Sequence, residues 1–260
     1  MTPEQEFLTT HRAHDYRHLI ARWRAVARTS GYRIKPFLKE GDYTHYYLEP
    51  KRPAASAPAV YLSAGIHGDE PAAPQGLLHW AEQHPRALSA ANALIFPCLN
   101  PWGLENNVRL NRQGRDLNRE FQNPRIPLVR EWLKLVAGRQ FRLAVNLHED
   151  YDARGMYIYS LSNHREHLAE DIIAAVKKTI APDPRAGIDG SRAKQGVIRR
   201  KIDLDNFPLP GIPEAIYLHF NHSDVTLTVE SPSEFSLFDR TRAHAEAIRE
   251  AIRWLRRHQS

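Results

Sequence analysis

The run Ala59-Val60-Tyr61-Leu62-Ser63-Ala64-Gly65-Ile66, followed by His67-Gly68-Asp69-Glu70 and Pro71, decides how the chain is read. A short apolar run bounded by turn residues reads as a buried strand. Pro71 opens an apolar helix over 72–80, because proline is pre-organised for a first helical turn. His67 and Glu70 therefore fall on the tight turn between strand and helix. An imidazole and a carboxylate three residues apart on such a turn can reach one cation. Zinc in hydrolases commonly takes two nitrogens and one carboxylate and keeps a position for water. A His-x-x-Glu pair alone is weak evidence, because Glu is also favoured at exposed helix starts by the dipole.

Two further strands supply matching groups. Residues 141–147 read as a strand that ends in His148, and 225–229 as one that ends in Glu230. Open α/β sheets build their sites at the carboxyl ends of strands. The conjunction makes His67, Glu70 and His148 the candidate metal ligands and leaves Glu230 as a spare carboxylate beside them.

The rest of the chain alternates between the two periodicities. Residues 2–29 have helical spacing, with Phe7, Leu19, Trp23 and Val26 on the apolar side. Residues 32–37 and 43–48 alternate like paired strands around Lys39-Glu40-Gly41-Asp42. Strand 59–66 leads to helix 71–84, strand 92–99 to a long loop, and helix 124–137 to strand 141–147. A short strand over 156–161 follows, then a helix over 164–180 with Asn163 as its N-cap. Strands 215–220 and 225–229 and an amphipathic helix over 239–257 complete the pattern. Such alternation predicts one α/β domain spanning 1–260, with a mixed, mostly parallel central sheet and helices on both faces. Two irregular stretches stand out. Residues 100–123 are rich in Asn and Arg, and residues 181–213 are longer than loops in compact domains usually are, which suits a wall or lid of a substrate pocket.

Composition narrows the function classes. With 260 residues, 42% hydrophobic and 25% charged, the chain can bury a sizeable core. No apolar run is long enough to span a bilayer, and the start Met-Thr-Pro-Glu-Gln-Glu-Phe lacks the basic and apolar segments of a signal peptide. A cytoplasmic address without a membrane partner is the expectation. One cysteine, Cys98, forbids an internal disulfide and lies in an apolar run, so it reads as a core residue. A net charge of +6 admits a non-enzymatic binder of anionic ligands or nucleic acid. The basic residues are scattered, however, and form no recognisable binding module, so nucleic acid is not the expected partner.

Residues His67-x-x-Glu70, Asn100-Pro101-x-Gly103, Arg109-x-Asn111-x-x-Gly114-x-Asp116-Leu117-Asn118-Arg119, a strand ending in His148, and Thr228-Val229-Glu230 follow one another in that order. This set resembles the zinc carboxypeptidase superfamily over about residues 61–230. That superfamily includes digestive carboxypeptidases, bacterial murein peptide amidases, and the succinylglutamate desuccinylase and aspartoacylase branch. The resemblance implies a zinc carboxypeptidase-like fold and one Zn²⁺ per chain, held by His67, Glu70 and His148. It implies Glu230 as general base, Arg109 as the group that stabilises the oxyanion, and Asn118 with Arg119 as the grip on a substrate carboxylate. Arg112 reads instead as a solvent arginine. The implied reaction is hydrolysis of an amide next to a free carboxylate, first a carboxypeptidase on peptides, including murein-derived ones. An N-acyl amino acid deacylase of the desuccinylase type is the alternative. The sequence departs from the pattern in places. Glu120 stands where many carboxypeptidases carry Asn. Glu149 and Asp150 follow His148, either orienting a ligand, lying exposed, or favouring a cationic substrate group. The superfamily's catalytic tyrosine has no clear match, with Tyr217 either a candidate or a core residue.

Overall fold

In the computed structural model, residues 1–53, 59–164, 166–204 and 210–258 are described. The elements in order are α1 (Pro3–Thr10), α2 (Tyr16–Ser30), β1 (Tyr32–Glu40), β2 (Tyr43–Pro50), β3 (Ala59–Ala64), α3 (Ala72–Gln83), α4 (Pro85–Ala90), β4 (Asn92–Phe96), α5 (Pro101–Asn106), α6 (Pro127–Val136), β5 (Leu143–Asp150), β6 (Tyr157–Ser162), α7 (Leu168–Val176), β7 (Gly187–Ile188), β8 (Ser191–Arg192), β9 (Val197–Arg199), α8 (Glu214–Asn221), β10 (Val225–Pro232) and α9 (Leu237–Arg257). The main sheet runs β1-β2-β4-β3-β5-β10-β6-β9. Its centre, β4-β3-β5-β10, is parallel, while β1–β2, β2–β4 and β10–β6 are antiparallel. The fold is therefore mixed α/β with a mostly parallel central sheet.

Strand alternation sends successive side chains to opposite faces, and the central strands obey it closely. Val60, Leu62 and Ala64 of β3, Leu143, Val145 and Leu147 of β5, and Val225, Leu227 and Val229 of β10 pack with α2, α3, α7 and α9. Tyr61 of β3 and Ala144 of β5 face the other way, toward Leu128, Val129 and Trp132 of α6 and Leu218 of α8. Helices thus cover both faces. On this second face the strands turn polar toward their carboxyl ends: Ser63, Asn146, His148, Thr228 and Glu230 succeed the apolar residues.

Several elements differ from the sequence reading. The opening helical stretch is two helices, because Thr2 and Asp15 each accept a backbone N–H at a new start. Residues 215–220 lie in a helix, α8, and not in a strand. Glu214, Tyr217 and Leu218, at i, i+3 and i+4, share its inward side, a spacing that a six-residue apolar run leaves ambiguous. Helix α7 begins at Leu168; its amide is capped by Glu166 and not by Asn163. β5 and β10 run two residues past His148 and Glu230. The irregular stretch 181–213 contains the short strands β7, β8 and β9, and its residues 205–209, including Pro208, lie outside the described residues.

Candidate active site

Two loops shape the site. The first carries His67 and Glu70 from β3 to α3. Gly68 is required there: a Cβ would lie 1.9 Å from the backbone of Gly103 in α5, so only glycine lets the loop press against that helix. The second loop carries Arg109 to Arg119. Asn100 fastens it, accepting the Gly103 amide at 3.0 Å and donating to the Leu110 carbonyl at 3.2 Å. The Gly68 amide donates to the Val108 carbonyl at 3.1 Å, which ties the two loops together.

His67, Glu70 and His148 come together. Nδ1 of His67 lies 2.5 Å from one Glu70 oxygen, and Nδ1 of His148 lies 2.9 Å from the other. All three side chains are buried, and their ligand atoms fall within 4.8 Å of one another. The electrostatics ask for a cation. Burial works to raise the Glu70 carboxyl, yet the two imidazoles hold it well below the usual carboxylate range. Burial works to lower His67, yet the carboxylates of Glu70 and Asp116 push it up to about 9. His148 is likewise raised by Glu70 against its burial. His67, Glu70 and His148 could hold a divalent cation, which would take the place of those protons, and two imidazoles with a carboxylate are a donor set that suits zinc.

Asp116 was quoted in the sequence motif without a role. Its carboxylate meets Nε2 of His67 at 3.2 Å and accepts from Arg109 Nη2 at 3.1 Å. A carboxylate on the far nitrogen fixes the tautomer and aim of a ligating histidine. Arg109 also reaches within 3.7 Å of Glu70, so its guanidinium borders the candidate metal ligands. Arg112 lies away, beside Gly41 in the β1–β2 turn. Glu230 stands in register with His148 on the neighbouring strand. Burial pushes its carboxyl up to about 8; His148 opposes the shift and the charge of Glu70 adds to it.

Asn118 and Arg119 lie on a single turn of 3-10 helix, Leu117–Arg119, capped by Asp116. The Asn118 side chain accepts the Glu214 amide at 2.9 Å, and Arg119 donates to the Asn118 carbonyl at 2.8 Å. Glu214 is fully buried. It accepts from Tyr61, whose hydroxyl in turn accepts from Trp132 at 2.8 Å. Burial raises the Glu214 carboxyl despite these bonds. Sequence reading missed Glu214 because its partners come from β3 and α6.

Three ambiguities resolve. Glu149 is buried and bonded, whereas Asp150 accepts from the Tyr157 hydroxyl at 2.9 Å. Tyr217 packs on Trp132 with ring centres 5.5 Å apart, as a core residue of α8. Tyr157 stands opposite Glu230 on β6, and the exposed Tyr151 lies close enough to feel the charges of Asp69, Glu149 and Glu70. Burial pushes the Cys98 thiol up to about 12, in keeping with a core role. A second group of possible ligands, His11, His79 and Glu82, already holds a cation: Arg22 pairs with Glu82 at 2.9 Å and meets His11 at 3.1 Å.

Comparison with known proteins agrees with this architecture. A provisionally named metallopeptidase of Shewanella amazonensis SB2B superposes with a TM-score of 0.80 at 23% identity, covering 94% of each chain. A metallo-carboxypeptidase of Burkholderia cenocepacia gives 0.71 at 16% identity, over 92% of this chain and 68% of that one. Cytosolic carboxypeptidase 1 of Gallus gallus is 32% identical over 124 residues, 43% of this chain. The chain spans about a tenth of the length of that curated relative. Among the described residues, no helix is long and apolar enough to cross a membrane. Residues 56–186, half of the chain, match the succinylglutamate desuccinylase/aspartoacylase catalytic domain, so the chain belongs to that family, within the zinc carboxypeptidase-like superfamily, and is a hydrolase of metallocarboxypeptidase-like fold.

Proposed function

We propose that this protein is a zinc-dependent hydrolase that cleaves an amide bond next to a free carboxylate, acting as a carboxypeptidase on peptides. The observation that carries the reading is the convergence of two Nδ1 atoms and the Glu70 carboxylate, with Glu230 one strand away and Arg109 at the rim. A Zn²⁺ held by His67, Glu70 and His148 would polarise the scissile carbonyl and lower the pKa of a water. Glu230 takes the proton from the attacking water and passes it to the leaving amine nitrogen. Its raised carboxyl suits both halves of that task. Arg109 offers a fixed positive charge to the developing oxyanion, worth a few kcal/mol in a water-poor cleft. Asp116 holds Arg109 and His67 in place. Arg119, beside Asn118, binds the substrate carboxylate and thereby sets the amide over the site; a guanidinium fork does this with two parallel bonds.

A matched pair of substrates tests the reading: a short peptide with a free C-terminal carboxylate, and its primary amide. The enzyme is expected to prefer the acid by roughly 10²-fold or more in kcat/KM, because the amide leaves a guanidinium unpaired. Arg119→Ala is expected to shrink that preference, and Arg119→Lys to restore it in part. Equal rates on acid and amide contradict carboxylate recognition. Turnover of N-succinyl or N-acetyl amino acids in place of peptides would assign the deacylase activity of the family's name.

A further inference from the structure

Glu149 follows the ligand His148 in β5, and its side chain leaves the sheet on the opposite face, toward α3 and α9. There it is buried, with both oxygens engaged. One accepts the backbone N–H of Ala72 at 2.5 Å; the other pairs with the guanidinium of Arg240 from α9. Ala72 is the first residue of α3, two positions after Glu70. That helix start has Pro71 at its N-cap and no side-chain cap of its own, so the carboxylate of Glu149 caps it from another strand. A carboxylate at a helix N-terminus is favoured by the free amides and the dipole. The neighbouring strand continues the layer: Ser231, in register with Glu149, contacts Nε2 of His244 from α9 at 3.0 Å.

Two segments that bear ligands, the end of β5 and the start of α3, are thus bridged by one side chain. We propose that Glu149, held by the Ala72 amide and by Arg240, is a positioning residue that sets the spacing between Glu70 and His148 and with it the affinity for the cation. This rests on the zinc reading above. The clamp acts through geometry and charge. The capped helix start fixes the turn that aims Glu70. Arg240 offsets the carboxylate that would otherwise stand beside Glu70 as a second uncompensated negative charge. Such outer groups typically change metal affinity by about 10–100-fold when removed.

The test compares wild-type protein, Glu149→Gln, Arg240→Gln and the double variant. Zinc affinity is measured by competition with a chelator, the Co²⁺-substituted visible spectrum reports ligand geometry, and thermal unfolding of the metal-free protein reports the fold. The wild type is expected to bind one zinc. Each single variant is expected to raise the zinc Kd about 10–100-fold and to alter the Co²⁺ bands, and the double variant to lose less than the sum. If Glu149→Gln fails to fold, Glu149→Asp carries the test: it keeps the charge, cannot span the gap, and is expected to weaken zinc several-fold. Unchanged affinity and an unchanged Co²⁺ spectrum in folded variants would overturn the proposal and leave Glu149 a purely structural clamp, whatever happens to the metal-free melting point. Absence of zinc binding by the wild type overturns the zinc reading itself, and this inference with it.

Discussion

In the proposed mechanism, Glu230 is the residue on which the chemistry turns. Glu230→Gln keeps its shape and removes its capacity to accept a proton, so zinc content is expected to stay at the wild-type level while turnover falls by roughly 10²-fold or more. Wild-type rates in that variant would make Glu230 a structural strand residue. A second residue controls stability against pH. Burial and the Arg22 charge push His11 from 6.5 down to about 3. As pH falls, the unfolded chain takes up this proton first. The stability contributed by His11 is therefore present above about 6.5 and lost as pH falls toward about 3, at about 1.4 kcal/mol per pH unit. Urea unfolding between pH 6.5 and 5 is expected to show a shallower slope for His11→Gln; equal slopes contradict this. The convergence of His67, Glu70 and His148 was legible in the sequence because His67 and Glu70 follow β3 and His148 lies near the carboxyl end of β5, and strand ends can be read locally. Asp116, Glu149 and Glu214 were not assigned, because their roles exist only through partners up to 153 positions away, such as Tyr61 with Glu214.

At the scale of elements, the parallel centre and the hairpin were legible, since β3 and the first half of β5 are short apolar runs and β10, β1 and β2 carry strand-like alternation. α8 was not, because a short apolar run fits either periodicity until its partners are known. The two short helices α4 and α5 escaped notice for a related reason: each spans six residues, too few for periodicity to speak. The end of the irregular stretch proves to be bound to the turn that carries Asn118 and Arg119. The Phe121 amide donates to the Ile212 carbonyl at 3.0 Å, and a Cβ on Gly211 would meet the Arg119 carbonyl oxygen at 1.9 Å. Gly211→Ala must push that turn aside. Zinc content is expected to hold, while kcat/KM on the free-acid peptide falls by up to about 10²-fold, the scale expected for a misplacement of about 1 Å. Unchanged kinetics would show that the turn yields without moving Arg119.

For the molecule as a whole, the sheet separates two tasks. One face is an apolar core under α2, α3, α7 and α9; the other, packed by α6 and α8, becomes polar toward the carboxyl ends of its strands, where the candidate site lies. The proposed zinc ligands join the ends of two strands, β3 and β5, to the start of α3, so zinc is expected to stabilise the fold across those elements. At free zinc about 100 times Kd the gain is about 2.7 kcal/mol, seen as a rise in Tm that His148→Ala abolishes. The most direct test titrates chelator-treated protein with zinc while following hydrolysis of a free-acid peptide. The account predicts negligible hydrolysis without metal and a rise that levels off at about one zinc per chain. Full activity in the metal-free protein, or no gain on adding zinc, would contradict it.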